Sequence, residues 1–159
     1  MTASEAPPEL DQMEVLAAVM EALRDDLANG PEMPGADDPR GAETGTAVIR
    51  SIDPGILAGL PVAKEAFRRL GVRTRTLKEE GAPVAADERV AVVGGSLRAI
   101  ESGRRTVLRF LERLSAIASG RAAPDLDDPL ECYAASVARR ATATPVGDNG
   151  PRFELEVEG

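Results

Sequence analysis

The stretch RRTVLRFLERLSAIAS, residues 104–119, is the part of the chain that decides the fold. Its apolar residues recur every three or four positions, which is the period of a helix with one packed face. The opposite face carries Arg105, Arg109 and Arg113. Because the whole chain has a formal net charge of −8, this basic helix stands out as the candidate functional element.

Length and composition are those of one soluble globular domain. The chain has 159 residues, of which 43% are hydrophobic and 29% are charged. Its 27 acidic against 19 basic residues argue against nucleic-acid binding, which needs a basic surface. No apolar run approaches the roughly 20 residues that span a bilayer, and the first residues contain no apolar signal core. We therefore expect a cytoplasmic protein that binds neither nucleic acid nor membranes.

Two residue types limit the chemistry that this chain can perform. Cys132 is the only cysteine, so a disulfide within the chain is impossible. The sequence contains no histidine, which removes histidine-based zinc sites and Ser-His-Asp hydrolysis. We expect no metal and no cofactor.

Apolar periodicity and turn residues predict an α+β fold. The expected elements before the basic helix are a loose tail (1–9), a helix (11–29), a loop (30–45), a strand (46–52), a short helix (61–71) and two strands (72–78 and 89–95), with residues 96–103 leading into the helix of 104–119. Beyond that helix we expect another helix (128–141), a hairpin turn at GDNG (147–150) and a strand (153–158). This order predicts a small, mostly antiparallel sheet with helices packed on one face.

Three short motifs have structural explanations. The pair Gly94-Gly95 lacks the spacing of a phosphate-binding loop and is expected to form a turn. The acids of DLDDP (125–129) precede a helix and are expected to cap it. Cys132, beside Tyr133, has no histidine partner to activate a thiolate, so Cys132 is expected to pack.

The arginines around the basic helix leave two interpretations open. The segment between Val90 and Pro124 contains six arginines and two glutamates, so its net charge is 6 − 2 = +4. The first interpretation is a solvated face neutralised by Glu101, Glu112 or the acidic linker that follows the helix. The second is an anion site, because guanidinium groups bind carboxylate and phosphate bidentately. Its candidate residues are Arg98, Arg104, Arg105, Arg109 and Arg113.

The central sequence also resembles a known domain. The segments AVIRSIDPGILAGLPVAKEAFRRLGV and KEEGAPVAADERVAVVGGSLRAIESGRRTVLRFLERLSAIAS resemble the N-terminal domain of quinolinate phosphoribosyltransferase (nicotinate-nucleotide pyrophosphorylase). The shared features are the ILAG turn, a helix with Phe67, the Gly81 turn, VAVVGG and the Arg-Thr helix, in that order. The resemblance covers roughly residues 10–119.

This resemblance implies a fold, a partner and a role for one arginine. The family's N-terminal domain is an open-faced α/β sandwich that precedes a catalytic α/β barrel. The enzymes are dimers in which this domain closes the barrel of the other subunit. The arginine that reaches the carboxylates of quinolinate corresponds to Arg105. Where the family usually has Glu, Asn and Gly, this chain has Arg104, Arg109 and Ala116.

The barrel itself is missing from the sequence. Only 40 residues follow Ser119, far too few for a barrel. The segments SVARRATATP and FELEVE resemble the family's extreme C-terminus, which returns to the N-terminal sheet. We therefore expect residues 10–159 to form one domain in which a bridging segment (120–141) replaces the barrel and residues 142–159 supply the returning strand.

Three functions remain open for such a barrel-less domain, and phosphoribosyl transfer by this chain alone is not among them. It could be a repurposed small biosynthetic enzyme that binds an anionic substrate on Arg105 and Arg109, with catalysis by Glu101, Glu112, Tyr133 or Cys132. It could be a binding or regulatory module without chemistry. It could also be one half of a split enzyme that works with a separate barrel subunit. In each case we expect a homodimer and a small carboxylated or phosphorylated ligand.

Overall fold

The structure, a computed structural model, describes residues 12–29, 43–140 and 151–158. The predicted tail (1–9) and GDNG turn lie outside them, as do residues 30–42 of the predicted loop and 142–150 of the predicted returning segment. The helices are α1 (Gln12–Asn29), α2 (Leu60–Arg69), α3 (Leu97–Ala118) and α4 (Pro129–Arg140). The strands are β1 (Thr44–Ser51), β2 (Gly55–Ile56), β3 (Arg73–Thr76), β4 (Pro83–Val84), β5 (Glu88–Ser96) and β6 (Phe153–Glu158).

Four strands form the main sheet in the order β3-β5-β1-β6, and each neighbouring pair is antiparallel. The C-terminal strand β6 pairs with β1 along its whole length, from Thr46 opposite Glu158 to Ser51 opposite Phe153. The predicted α+β class, the antiparallel sheet and the returning C-terminal strand are therefore confirmed. The two short strands β2 and β4 pair with each other and form a separate small sheet.

The helices and the inner face of the sheet share one hydrophobic core. Helix α3 contacts β1, β5 and β6, while α2 and α4 pack on α3 and α1 packs on both α2 and α3. Alternate residues of each strand point into this core because successive side chains of a strand face opposite ways. The core includes Ile49, Phe67, Val93, Ile100, Leu111, Leu114 and Leu155.

Helix α3 begins earlier than the sequence predicted. It starts at Leu97, and the hydroxyl of Ser96 caps it by accepting a hydrogen bond from the Ala99 amide at 3.3 Å. Residues 97–103, predicted to lead into the helix, form its first two turns. Starting there, the helix brings Arg98 onto the same element as the other arginines.

Ser115 of α3 and Ser119 at its C-terminal cap fasten the helix to the segment around β2. The Ser115 hydroxyl accepts a hydrogen bond from the Ala58 amide at 2.9 Å and donates to the Ala58 carbonyl at 3.0 Å. The Ser119 hydroxyl accepts from the Ile56 amide at 2.8 Å. Both serines are buried, so these bonds satisfy backbone groups that water cannot reach.

Replacing Ser115 by alanine should destabilise the fold measurably. The Ala58 amide would then be buried without an acceptor, so we expect the Ser115→Ala variant to lose about 1–2 kcal/mol of unfolding free energy. Urea unfolding followed by circular dichroism would measure this loss. The control is Ser102→Ala, whose hydroxyl donates to the Arg98 carbonyl within α3 and whose loss should change stability by less than about 0.5 kcal/mol. Equal stability of the wild type and Ser115→Ala would contradict the role assigned to this hydroxyl.

Candidate functional site

The packing of α3 decides which of its arginines point outward. Thr106 and Val107 are 1% and 0% exposed, so this side of the helix faces the core. Arg104 and Arg105 immediately precede them and are exposed. Within the described part of the chain, Arg105 makes no ion pair and no hydrogen bond.

The neighbouring arginines are engaged to different degrees. Arg104 lies 3.5 Å from Glu101 one turn earlier, and both side chains are well exposed. Such a surface pair contributes at most about 1 kcal/mol and yields readily to a better partner. Arg98 is half-buried and Arg109 exposed, and each already takes part in an interaction within the chain. Arg105 is thus the exposed arginine of the predicted row that has no partner among the described residues.

Arg113 makes contacts that stabilise the fold and does not present a free guanidinium group. Its Nε and Nη2 donate to the two carboxylate oxygens of Glu131 at 3.0 and 2.8 Å, and Nη2 also donates to the Ala123 carbonyl at 3.1 Å. Hydrogen bonding from Arg113 holds the pKa of Glu131 below its usual value. The bidentate pair fastens α3 to α4, so the solvated-face interpretation describes Arg113 better than the anion-site interpretation.

The four candidate catalytic groups are each engaged in a separate structural contact. Glu101 faces Arg104, and Glu112 accepts a hydrogen bond from the Phe153 amide at 3.1 Å, at the start of β6. The Cys132 thiol donates to the Leu126 carbonyl at 3.4 Å. Tyr133 donates its hydroxyl proton to Glu80 at 2.7 Å. These contacts explain the four residues structurally and leave their catalytic roles as predictions.

Glu80 is a central residue that the sequence analysis did not single out. Its carboxylate accepts hydrogen bonds from the Gly59 amide at 2.8 Å and the Leu60 amide at 3.1 Å, in addition to the bond from Tyr133. Burial raises the pKa of Glu80, and the three hydrogen bonds oppose that rise. The residue that precedes α2 is Gly59, which has no side chain that could accept hydrogen bonds from the first amides of the helix. A glycine at this position is the one sequence signal that the cap must come from a residue elsewhere in the chain.

The structure also contains an open cleft of about 710 Å³ between α2 and β3. Its lining combines apolar and charged side chains and includes none of the α3 arginines. The lining residues are Leu60, Pro61, Lys64, Glu65, Arg68, Val72, Arg73, Thr74, Thr76, Lys78, Glu79 and Glu80. This cleft therefore lies apart from the predicted anion site.

Two further properties bear on the site. Among the residues that the structure describes, no three of the metal-ligating types Cys, Asp and Glu are arranged to hold an ion. Within the same residues, no helix combines the length and apolar character that crossing a membrane requires.

Comparison with known protein families finds a match for the central part of the chain. The family model of the quinolinate phosphoribosyl transferase N-terminal domain matches residues 39–115, from just before β1 to within α3. Over these residues the chain is similar to the N-terminal domain of that family. The resemblance seen in the sequence is thereby confirmed, and the matched part contains Arg105 on its α3 helix.

Solved structures of the family share the fold. Nicotinate-nucleotide pyrophosphorylase from Francisella tularensis is 27% identical with a TM-score of 0.63, over 70% of this chain and 40% of that chain. NadC from Streptococcus pyogenes is 21% identical with a TM-score of 0.69, over 89% of this chain and 56% of that chain. The enzyme from Ehrlichia chaffeensis is 16% identical with a TM-score of 0.64, over 84% of this chain and 54% of that chain. The latter two show the fold alone.

The chain spans only about half the length of these solved relatives, or less. It covers 40% of the Francisella tularensis enzyme and 56% of the Streptococcus pyogenes protein. The described residues contain the sandwich and its returning strand, and they contain no barrel. Similarity alone therefore does not show that this chain has the activity of the complete family enzymes.

Proposed function

We propose that this protein is a barrel-less member of the family that binds a small carboxylated or phosphorylated molecule on the exposed side of α3. The observation that carries the proposal is the state of Arg105, which is exposed and has no partner in the described part of the chain. A guanidinium group offers two parallel donors that match a carboxylate or a phosphate. Arg104 can join it by leaving its surface pair with Glu101.

The family supports the same ligand class. Its solved members are nicotinate-nucleotide pyrophosphorylases, and both nicotinate and pyrophosphate are anions. The resemblance gives the residue at position 105 the task of reaching a substrate carboxylate. In this chain the segment 120–141 takes the place of the barrel, so α3 offers its arginines without the enclosing active site.

Binding without chemistry is the function that the geometry supports best. Glu112, Tyr133 and Cys132 are held in contacts that stabilise the fold, and Glu101 is an exposed carboxylate beside a guanidinium group. General acid–base catalysis requires a positioned group whose pKa suits proton transfer. A repurposed small biosynthetic enzyme stays a prediction, and turnover of a bound ligand would establish it.

Removal of Arg105 should abolish most of the anion affinity. We expect quinolinate, inorganic phosphate or both to bind the wild type in isothermal titration calorimetry and to raise its melting temperature. Binding to Arg105→Ala should be about tenfold to a hundredfold weaker, because a charge-assisted hydrogen bond is lost. Arg24→Ala, which removes an exposed arginine from α1, is the matched control and should bind like the wild type. Unchanged binding to Arg105→Ala would contradict the proposal.

A second candidate function is one half of a split phosphoribosyltransferase. The observation that favours it is the short span of the chain, which covers 40% of the Francisella tularensis enzyme, together with the outward position of Arg105. A separate barrel polypeptide from the same organism would then co-purify with this chain. Pyrophosphate release from quinolinate and phosphoribosyl pyrophosphate should require both polypeptides and should be lost with Arg105→Ala. A mixture without activity would leave the binding module as the function.

A further inference from the structure

Strand β3 forms one edge of the main sheet. Among the described strands it pairs with β5 alone. The Leu77 amide donates a hydrogen bond to the Val90 carbonyl of β5 at 2.8 Å, so position 77 belongs to a hydrogen-bonded pair of this antiparallel ladder. Because such pairs alternate along a strand, the backbone N–H and C=O groups of Arg75 also point toward β5, whereas those of Thr74 and Thr76 point away from it. The edge therefore offers the main-chain groups of two residues to a further strand.

The cleft of about 710 Å³ between α2 and β3 includes this edge in its wall. Thr74 and Thr76 line it from β3, and Leu60, Lys64 and Arg68 line it from α2 at intervals of one helical turn. The two walls have similar lengths, about 13 Å for the four residues of β3 and about 15 Å for the ten residues of α2. The cleft therefore offers room for a short extended segment of chain beside β3.

Two arginines of β3 lie on the side of the strand that faces away from the helices. Thr74 is opposite Val93, which lies in the core, so Arg73 and Arg75 on either side of Thr74 occupy the other face. Both arginines are exposed, and neither makes an ion pair or a hydrogen bond within the described part of the chain. Directly opposite residues of neighbouring strands have Cβ atoms about 4.5–5.5 Å apart, and opposite charges at that distance stabilise the pairing. Acidic side chains on an added strand would therefore be favoured.

The charges on the walls of the cleft favour the same partner. Lys64 on α2 is exposed and has no partner among the described residues, whereas Lys78 is paired with Glu88 at 2.6 Å. Of the acids, Glu80 is held by its three hydrogen bonds, and Glu79 is exposed and unpaired within the described residues. Together with the two arginines of β3, Lys64 makes three accessible cations against one accessible carboxylate. Electrostatic complementarity therefore selects an acidic partner.

We propose that β3 and residues 60–68 of α2 form an edge groove that binds an extended acidic segment of another protein. The segment adds to the main sheet as a strand beside β3. Its main chain pairs with Thr74 and Thr76, and its acidic side chains lie beside Arg73 and Arg75. In complexes of this kind the main-chain hydrogen bonds supply affinity, and the alternate side chains supply specificity.

The basic charge of β3 disfavours pairing with β3 of a second copy. Antiparallel pairing of two such edges would place arginines beside arginines, which is unfavourable. Charged residues on an edge strand commonly protect a sheet against this kind of self-association. An acidic segment turns the same charges into attractions. The edge groove is also separate from the anion site proposed for α3, because none of the α3 arginines lines the cleft.

Fluorescence anisotropy with a labelled hexapeptide of alternating glutamate and valine tests the proposal. We expect the wild type to bind this peptide with a dissociation constant of about 100 μM or tighter at low salt, and more weakly as the salt concentration rises. The same peptide with lysine in place of glutamate should bind at least about tenfold more weakly. A peptide that keeps the glutamates but has N-methylated central amides should also lose at least about tenfold, because it cannot donate the strand hydrogen bonds.

Variants of the protein test the edge itself. Thr76→Pro removes an N–H group that points away from β5, so it should melt close to the wild type and bind the acidic peptide at least about tenfold more weakly. Arg73→Glu/Arg75→Glu should bind that peptide about a hundredfold more weakly and should bind the lysine peptide better than the wild type does. The controls Arg24→Glu on α1 and Arg105→Ala on α3 should bind the acidic peptide like the wild type.

Nuclear magnetic resonance locates the bound peptide. We expect the amide signals of Thr74 and Thr76 to shift on addition of the acidic peptide and those of α3 to stay in place. Shifts confined to α3, equal binding of the N-methylated peptide, or unchanged binding by the double arginine variant would each overturn the proposal. Occupation of the edge groove by a second copy would appear as concentration-dependent association of the free protein in sedimentation velocity, and it would also overturn the proposal.

Discussion

A chain that ends at Gly147 is expected not to fold cooperatively, because it lacks β6. This strand buries Phe153 and Leu155, which are each 3% exposed in the complete protein. Truncating one such side chain to alanine typically costs about 2–5 kcal/mol. The two losses together are comparable with the whole stability of an ordinary domain, about 5–15 kcal/mol.

Loss of β6 should also make the protein aggregate. Strand β1 pairs with β5 on one side and β6 on the other, so the truncation leaves β1 as an unpaired sheet edge. An exposed edge with apolar residues is a template for pairing with other chains. We expect the truncated protein to elute as aggregates in gel filtration and to lack a sharp thermal transition in circular dichroism.

Point variants of the complete chain test the burial of the β6 side chains without shortening the chain. Phe153→Ala/Leu155→Ala removes the core side of β6 and should lower the melting temperature strongly. Glu154→Ala changes the outer side of the same strand, removes only a weak ion pair at 3.9 Å with Arg50, and should melt close to the wild type. A soluble truncate with a cooperative melt would refute the importance of the returning strand.

The sequence predicted β6 and α3 well because both have one packed face. Phe153 and Leu155 alternate with glutamates, and this period of two defines a strand with one solvated side. The apolar residues of α3 recur with the period of a helix over several turns. A long amphipathic element carries enough repeats for its type to be read without knowledge of its neighbours.

The fate of each arginine could not be predicted, because it depends on how α4 docks. Arg105 and Arg113 have the same residue type, lie on the same helix and are both exposed. Arg113 is nevertheless fixed by Glu131, which lies 18 positions later in the chain on a different helix. Periodicity along α3 carries no information about that contact. Only the three-dimensional arrangement separates the available guanidinium group from the engaged one.

Short strands and a helix cap from a distant residue could not be predicted from the sequence for a related reason. Strands β2 and β4 have two residues each, too few for any pattern to repeat. Glu80 caps α2 across 20 and 21 positions and meets Tyr133 across 53. Its sequence context, EEG, is typical of an ordinary solvated turn.

Replacing Glu80 by alanine should destabilise the protein strongly. The substitution removes the acceptor of the Gly59 and Leu60 amides at the start of α2, and it deprives the Tyr133 hydroxyl of its acceptor in Glu80. Partly buried donors without acceptors are costly, so we expect Glu80→Ala to lose about 2–4 kcal/mol of unfolding free energy. Urea unfolding at neutral pH would measure the loss. Tyr133→Phe keeps both helix-capping bonds and should lose less.

Glu80→Gln tests the electrostatic part of the same contact through its pH dependence. Burial raises the pKa of Glu80 in the folded protein, so the folded state holds this proton more tightly than the unfolded chain does. Its contribution to stability is therefore full below the unfolded pKa of about 4.5 and is lost as the pH rises through the folded pKa. Glutamine cannot ionise, so the stability of the wild type relative to Glu80→Gln should fall as the pH rises through this window.

Measuring a difference between two variants isolates Glu80 from the other carboxyl groups. Asp53, Glu65, Glu88 and Glu131 have lowered pKa values because of their basic or hydrogen-bonding partners, and they make the protein more stable as the pH rises from acid. These contributions are present in both proteins and cancel in the difference. A difference that stays constant with pH, or that grows as the pH rises, would show that burial does not dominate at Glu80. The carboxylate would then be held chiefly by the positive N-terminus of α2.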